Sequence, residues 1–189
     1  MKRFTLLFLA LVATVGFAFG QDADAEMMKK WQKAMTPNEN HEFLAKMAGE
    51  WTYTQKGWMD PTQEPTVSEG KTSAKMIMGG RYLDQYMSGT AWGMPFEGQE
   101  IMGYDNLTGK FRSHWIDNMG TGFLISEGTL EGNTLTMIGT APSMMSDGMD
   151  TYKMVTVVES EDSHSMTMYM VSPDGEEMKA MEIVATRKK

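Results

Sequence analysis

The chain has 189 residues, a formal net charge of −8 and no cysteine. That length suits one domain with a sizeable core, and the lack of cysteine excludes disulfides, thiolate metal sites and a thiol nucleophile. The acidic balance argues against a nucleic-acid partner, because phosphates demand a basic footprint, and it disfavours docking on anionic lipid.

The first element is a leader. Lys2 and Arg3 form a basic start, an apolar run extends from Phe4 to Phe19, and "AFG" then "QDADA" follow. This is the pattern of a secretory signal. Cleavage is expected after Gly20, with Ala25 as the alternative. The run is short for a membrane span, so no stable membrane insertion is expected. Removing Lys2 and Arg3 with the leader brings the net charge to −10. The mature protein is expected to be exported, soluble and bacterial, in the periplasm or outside the cell. Its acidic charge would then serve solubility.

Residues 21–35 are polar with scattered apolar positions and read as a loose amphipathic lead-in to a domain spanning 36–189. In "TPNENHEFLAKMAGEW", Thr36 is placed to cap a helix, Pro37 suits its first position and Glu39 completes a capping box. Phe43, Leu44 and Met47 fall on one face of that short helix, and Gly49 is placed to end it in the left-handed conformation.

Everything after Gly49 reads as strand and turn. The expected strands are 50–58, 66–79, 81–89, 95–104, 109–117, 121–130, 133–141, 150–160, 163–172 and 176–187. Alternation is clear in "MVTVVES" and "SMTMYMVS", as half-buried strands require. "YDNLTG", "EGN", "ESEDS" and "SPDGE" are short polar turns. Short links favour antiparallel neighbours. About ten strands with little helix to cover their edges favour closure. The expected fold is an all-β, antiparallel up-and-down barrel with a short N-terminal helix.

Two features carry a resemblance. The helix followed by Gly49, Glu50 and Trp51 resembles the Gly-x-Trp opening of lipocalin and calycin barrels. In that family an arginine on the last strand packs over the tryptophan at the closed end, and Arg187 in "EIVATRKK" is placed for that part. In addition, "GGRYL", "GMPFEGQEIMGYDN", "WIDNMGTG" and "MEIVATR" resemble a family of secreted or periplasmic bacterial proteins of unknown function, assigned a lipocalin-like barrel. The resemblance implies the fold and the exported location. It supplies no substrate and no catalytic residue. The chain lacks the histidine motif of the haem-binding relatives of this barrel class, so no cofactor is expected.

Four stretches are candidates for chemistry. In "SHWIDNMGTG", Phe111, Ser113, Trp115 and Asp117 share one strand face, while Arg112, His114 and Ile116 share the other. The simplest reading is a strand running into a turn that Asp117 and Asn118 initiate. The functional reading makes inward Asp117 a polar anchor beside Trp115 in an apolar cavity. In "GGRYLDQYMSG", neither face is cleanly apolar. A wet or ligand-lined interior accounts for that, with Tyr86 as a wall and Arg81 as an anchor. So does an ion pair of Arg81 with Glu100 or Asp84. Trp92 and Phe96 lie between glycines in "TAWGMPFEG", either over a barrel mouth or packed under a loop.

The chain holds 22 methionines. Met166, Met168 and Met170 alternate on a face shared with His164 and read as core filling. Met144, Met145 and Met149 lie in a polar loop, where converging thioethers would suit Cu(I). No neighbouring histidine or methionine ladder supports that reading, so no metal site is expected. Exposed methionine also oxidises reversibly. No nucleophile elbow, zinc-protease helix, phosphate loop or dinucleotide fingerprint occurs.

The leading expectation is non-enzymatic binding of a small, largely apolar molecule inside the barrel. Trp115 and Tyr86 would be walls, Asp117 and Arg81 polar anchors, and Trp92 would sit at the mouth. A barrel of this size also admits filling by its own side chains, which would leave an interaction module acting through its surface. A third reading is an enzyme using Glu100 and Asp117 as paired carboxylates. The oligomeric state is not legible.

Overall fold

The computed structural model describes residues 15–143 and 146–189, with side-chain surroundings from residue 23 onward. The basic start and most of the apolar run of the expected leader lie outside the described residues, as do Met144 and Met145. The chain divides into two compact units that meet between Thr36 and Pro37.

Helix α1 (Val15–Met35) belongs to the first unit. The segment expected as a loose lead-in is therefore a regular helix. Residues 23–34 are rich in Ala, Glu, Met, Lys and Gln, which favour helix, and no Gly or Pro interrupts them. The helix stops before Pro37, because a proline disfavours helical backbone in the residue preceding it. Among the described residues no helix is long and apolar enough to cross a membrane.

The second unit begins with helix α2 (Glu39–Lys46). Its cap is Asn38 rather than Thr36. The Asn38 side chain accepts from the Asn40 amide at 3.0 Å, and His41 Nδ1 accepts from the Asn38 amide at 3.1 Å. Thr36 is already committed, because its hydroxyl donates to the Gln32 carbonyl at 2.7 Å. The helix ends at Lys46 with Met47 in right-handed backbone. Gly49 instead opens the first strand with φ near +133°. A Cβ at Gly49 would collide with the Arg187 guanidinium, so glycine is required there.

Ten strands follow: β1 (Gly49–Gly57), β2 (Thr66–Ile77), β3 (Tyr82–Ala91), β4 (Met94–Asp105), β5 (Lys110–Asp117), β6 (Leu124–Glu131), β7 (Thr134–Pro142), β8 (Met149–Ser160), β9 (Ser163–Val171) and β10 (Glu177–Arg187). Each pairs antiparallel with the next, and β1 pairs with β10 from Trp51↔Arg187 to Gly57↔Met181, closing the barrel. The expected fold class is borne out. Closure leaves no exposed sheet edge to recruit another chain.

The two ends differ. At one end lie α2, the β2–β3, β4–β5, β6–β7 and β8–β9 turns and the end of β10. Phe43, Leu44 and Met47 of α2 pack there against Ala74, Leu83, Met102, Phe111, Leu135, Met137 and Val158, all buried. The opposite end carries the β1–β2, β3–β4, β5–β6, β7–β8 and β9–β10 connections, and no helix of this unit lies against it.

Candidate functional site

The helix end is sealed by a specific assembly. Trp51 is almost fully buried, and its indole N–H donates to the Met47 carbonyl at 2.9 Å. The Arg187 guanidinium lies over the Trp51 ring at 4.1 Å. It also donates to the carbonyls of Ala48 at 2.8 Å, Lys46 at 2.9 Å and Glu161 at 2.6 Å. One cation thus satisfies carbonyls at the end of α2 and ties the β8–β9 turn to β10. His164 meets the Trp51 ring edge-on, with ring centres 4.3 Å apart. It is buried, and its Nδ1 finds no hydrogen-bond partner among the described residues. Burial pushes its pKa down to about 4.

The other half is lined differently. Strand alternation and register place Phe96, Glu100, Trp115, Asp117, Leu124, Tyr152, Met154, Met166, Met168, Met170, Met178 and Met181 on the inner face. These inward side chains are half-buried, but Phe96, Trp115, Met166 and Met181 among them pack against a second buried cluster of Trp51, Tyr53, Met87, Ile183 and Ala185. Eight strands already give an interior just wide enough for side chains to fill, and diameter grows with strand number.

Small residues shape this wall. A Cβ at Gly98 would collide with the Trp115 ring, so the indole lies flat across that glycine. Phe96 stacks beside it, with ring centres 6.2 Å apart and planes 19° from parallel. Asp117 fixes the indole by accepting from its N–H at 2.7 Å, and it accepts from the Met119 amide at 2.9 Å. Across the barrel, Met137, Met154, Met168 and Met181 form one continuous cross-strand row on β7 to β10. Thioethers on unbranched chains make that wall soft and adaptable.

Glu100 is the polar centre. It faces Gln85 on β3 and Trp115 on β5. Burial raises its pKa above the usual carboxylate value, and the Ser113 hydroxyl opposes that shift. Ser113 and Ser126 share a hydrogen bond of 2.8 Å in the next row.

The expected site residues divide. Trp115 and Asp117 face inward and touch each other. Trp92 sits in the β3–β4 turn at the open end and is well exposed. Tyr86 is not a wall. Gln85 and Met87 take the inward positions of β3, so Tyr86 points outward and is exposed. Arg81 is not an interior anchor. It lies in the β2–β3 turn at the helix end, donating to the Met78 carbonyl at 3.0 Å. Asp84 instead accepts from Gln99 at 2.7 Å and pairs with Lys75 at 3.7 Å. Phe96 and the methionine row are the additions. Alternation identifies their face within each strand, but only register shows that they meet. Of the loop methionines considered for Cu(I), only Met149 is described, and it is exposed.

A depression of about 430 Å³ lies elsewhere, over facing Gly70 and Gly89, with Glu69, Lys71, Ser88 and Glu97 around it. On the inner side of those two glycines the Tyr53 ring takes the space their side chains would fill. A second hollow of about 240 Å³ separates α2 from Met76 and Gly80.

Comparison with known proteins bears on the fold and the family. A sequence profile described as "Protein of unknown function (DUF1579)" matches residues 36–187. The chain is similar to the crystal structure of Rv2717c from M. tuberculosis, at 13% identity, covering 78% of this chain and 96% of that one, with a TM-score of 0.57. At that identity the likeness speaks to the fold alone. A protein of unknown function from the DUF3598 family of Nostoc punctiforme PCC 73102 matches at 8% identity, covering 78% and 98% of the two chains, with a TM-score of 0.25 that carries no argument. No curated protein matches the sequence.

Proposed function

The chain belongs to the DUF1579 family of unknown function, and on that premise we propose that its barrel is a non-enzymatic carrier of a small, largely apolar molecule held in the open half. One observation carries this reading: Phe96, Trp115, Met166, Met168, Met170, Met178 and Met181 on the inner face remain half-buried, while the core beneath α2 is buried. Apolar walls with a few placed polar groups are the ordinary lining of a ligand site. Here Phe96, Trp115, Met168 and Met181 supply the walls, with Glu100 and Asp117 as the polar groups. Trp92 stands at the rim. Filling by the chain's own side chains is the second reading, favoured by the buried Tyr53 and Met87 of the cluster against which Phe96 and Trp115 pack. The leader of the sequence supports export, and we propose that the carrier works in the bacterial periplasm or outside the cell.

Native mass spectrometry of the mature protein, purified from its own envelope, tests this directly. A reproducible extra mass that leaves on denaturation is expected, and Trp115→Ala should lower its occupancy. A bare mass that titration with apolar probes leaves unchanged would reject the carrier.

A further inference from the structure

The inward charges of the open half are of one sign among the described residues. Glu100, Asp117 and Asp150 occupy inward positions of β4, β5 and β8. In the open half, no Lys or Arg takes an inward position among the described residues. Asp117 is occupied by the Trp115 indole and the Met119 amide, and Tyr152 donates to Asp150 at 3.4 Å. Glu100 forms no ion pair among the described residues. A carboxylate drawn out of bulk water with no cation beside it is poorly compensated. Opposite it on β5 stands Trp115, whose ring stacks with Phe96. An aromatic face next to a carboxylate attracts an organic cation, because ring quadrupole and negative charge act in the same direction.

We propose that the molecule taken by the open half is an organic cation, an ammonium group on a mostly apolar body, with Glu100 as its counter-ion, the Trp115 indole against its charged end and Phe96 against its apolar body. This rests on the carrier reading above and adds the sign of the cargo's charge. A fatty-acid-like anion would meet three carboxylates and no inward cation. A neutral apolar molecule would leave Glu100 uncompensated.

Three probes of nearly equal shape separate these cases: naphthalen-1-ylmethylammonium, naphthalen-1-ylmethanol and 1-naphthoate. Their affinities for the mature protein are measured by calorimetry at neutral pH and low salt. The ammonium should bind about tenfold or more tighter than the alcohol, since about 1.4 kcal/mol corresponds to each factor of ten. The naphthoate should bind weakest. Glu100→Gln should weaken the ammonium about tenfold more than it weakens the alcohol. Alcohol binding equal to ammonium binding would overturn the charge assignment while leaving the carrier intact. So would a variant that weakens both probes alike. Failure of all three probes would reject carrier and charge assignment together. The wild-type series decides the matter even where the variant folds poorly.

Discussion

Arg187 and Trp51 are register partners on the strand pair that closes the barrel, and the guanidinium lies 4.1 Å over the indole. The same guanidinium donates to three backbone carbonyls on two sides of the closure. It therefore joins α2, the β8–β9 turn and the first and last strands at one point. A planar fork with several fixed donors performs this, and an ammonium on a flexible stem does not. Arg187→Lys should lower unfolding stability by about 2–4 kcal/mol. Urea denaturation checks this, and a loss below about 0.5 kcal/mol would show that the clasp is not structural.

Stability should also depend on pH through His164. Its pKa is about 4 in the folded chain, against an ordinary value of 6.5, and burial is the main cause. Below pH 6.5 the unfolded chain takes up a proton that the folded chain refuses. The contribution of this group is complete above pH 6.5 and is lost as pH falls toward 4. The gap corresponds to roughly 3 kcal/mol over that window. His164→Leu should flatten the pH dependence of unfolding between these limits. A slope unchanged from the wild type would refute the assignment.

The flat seat of Trp115 on Gly98 leads to a third expectation. Gly98→Ala places a methyl group into the indole ring. Overpacking of this kind costs about 1–3 kcal/mol, and the displaced indole should lose its bond to Asp117. Gly120→Ala is the control, because nothing lies within 4 Å of its Cβ position. Thermal unfolding of both variants, with the indole N–H resonance of Trp115 as a local reporter, distinguishes them.

The cap of α2 yields a smaller effect. Asn38 accepts from the Asn40 amide, and its side-chain amide donates to Asn106 at 2.9 Å on the β4–β5 turn. Asn38→Ala should cost about 1–2 kcal/mol. Thr36→Ala, at the position expected from the sequence to be the cap, should cost much less. Equal losses in the two variants would contradict the assigned cap.

The strands and their faces were legible because alternation and Asp/Gly-rich turns are local properties. "FRSHWID" alone implies that Phe111, Trp115 and Asp117 face one way and His114 the other, and they do. Arg187 was placed opposite Trp51 through resemblance, and the register agrees. The misreadings arose where local signals were ambiguous. Tyr86 and Met87 are both large, and nothing within "YLDQYMSG" says which one faces the core. Register with Gly98 and Thr72 decides it, leaving Met87 inside. Thr36 and Asn38 both suit a cap, and the competing bond of Thr36 to Gln32 selects Asn38.

The sequence by itself determined the class of fold, the order of the strands and the acidic, cysteine-free chemistry available to them. Each follows from side-chain periodicity and composition, which act over a few residues. Only the tertiary structure decided that one end is plugged by α2 and that no helix of the same unit lies against the other, because closure and register set which strand ends meet. It alone set Trp115 against both Glu100 and Phe96 and lined up Met137, Met154, Met168 and Met181 from four strands. Those meetings are made by hydrogen-bond register between distant segments, which no local stretch of the chain encodes.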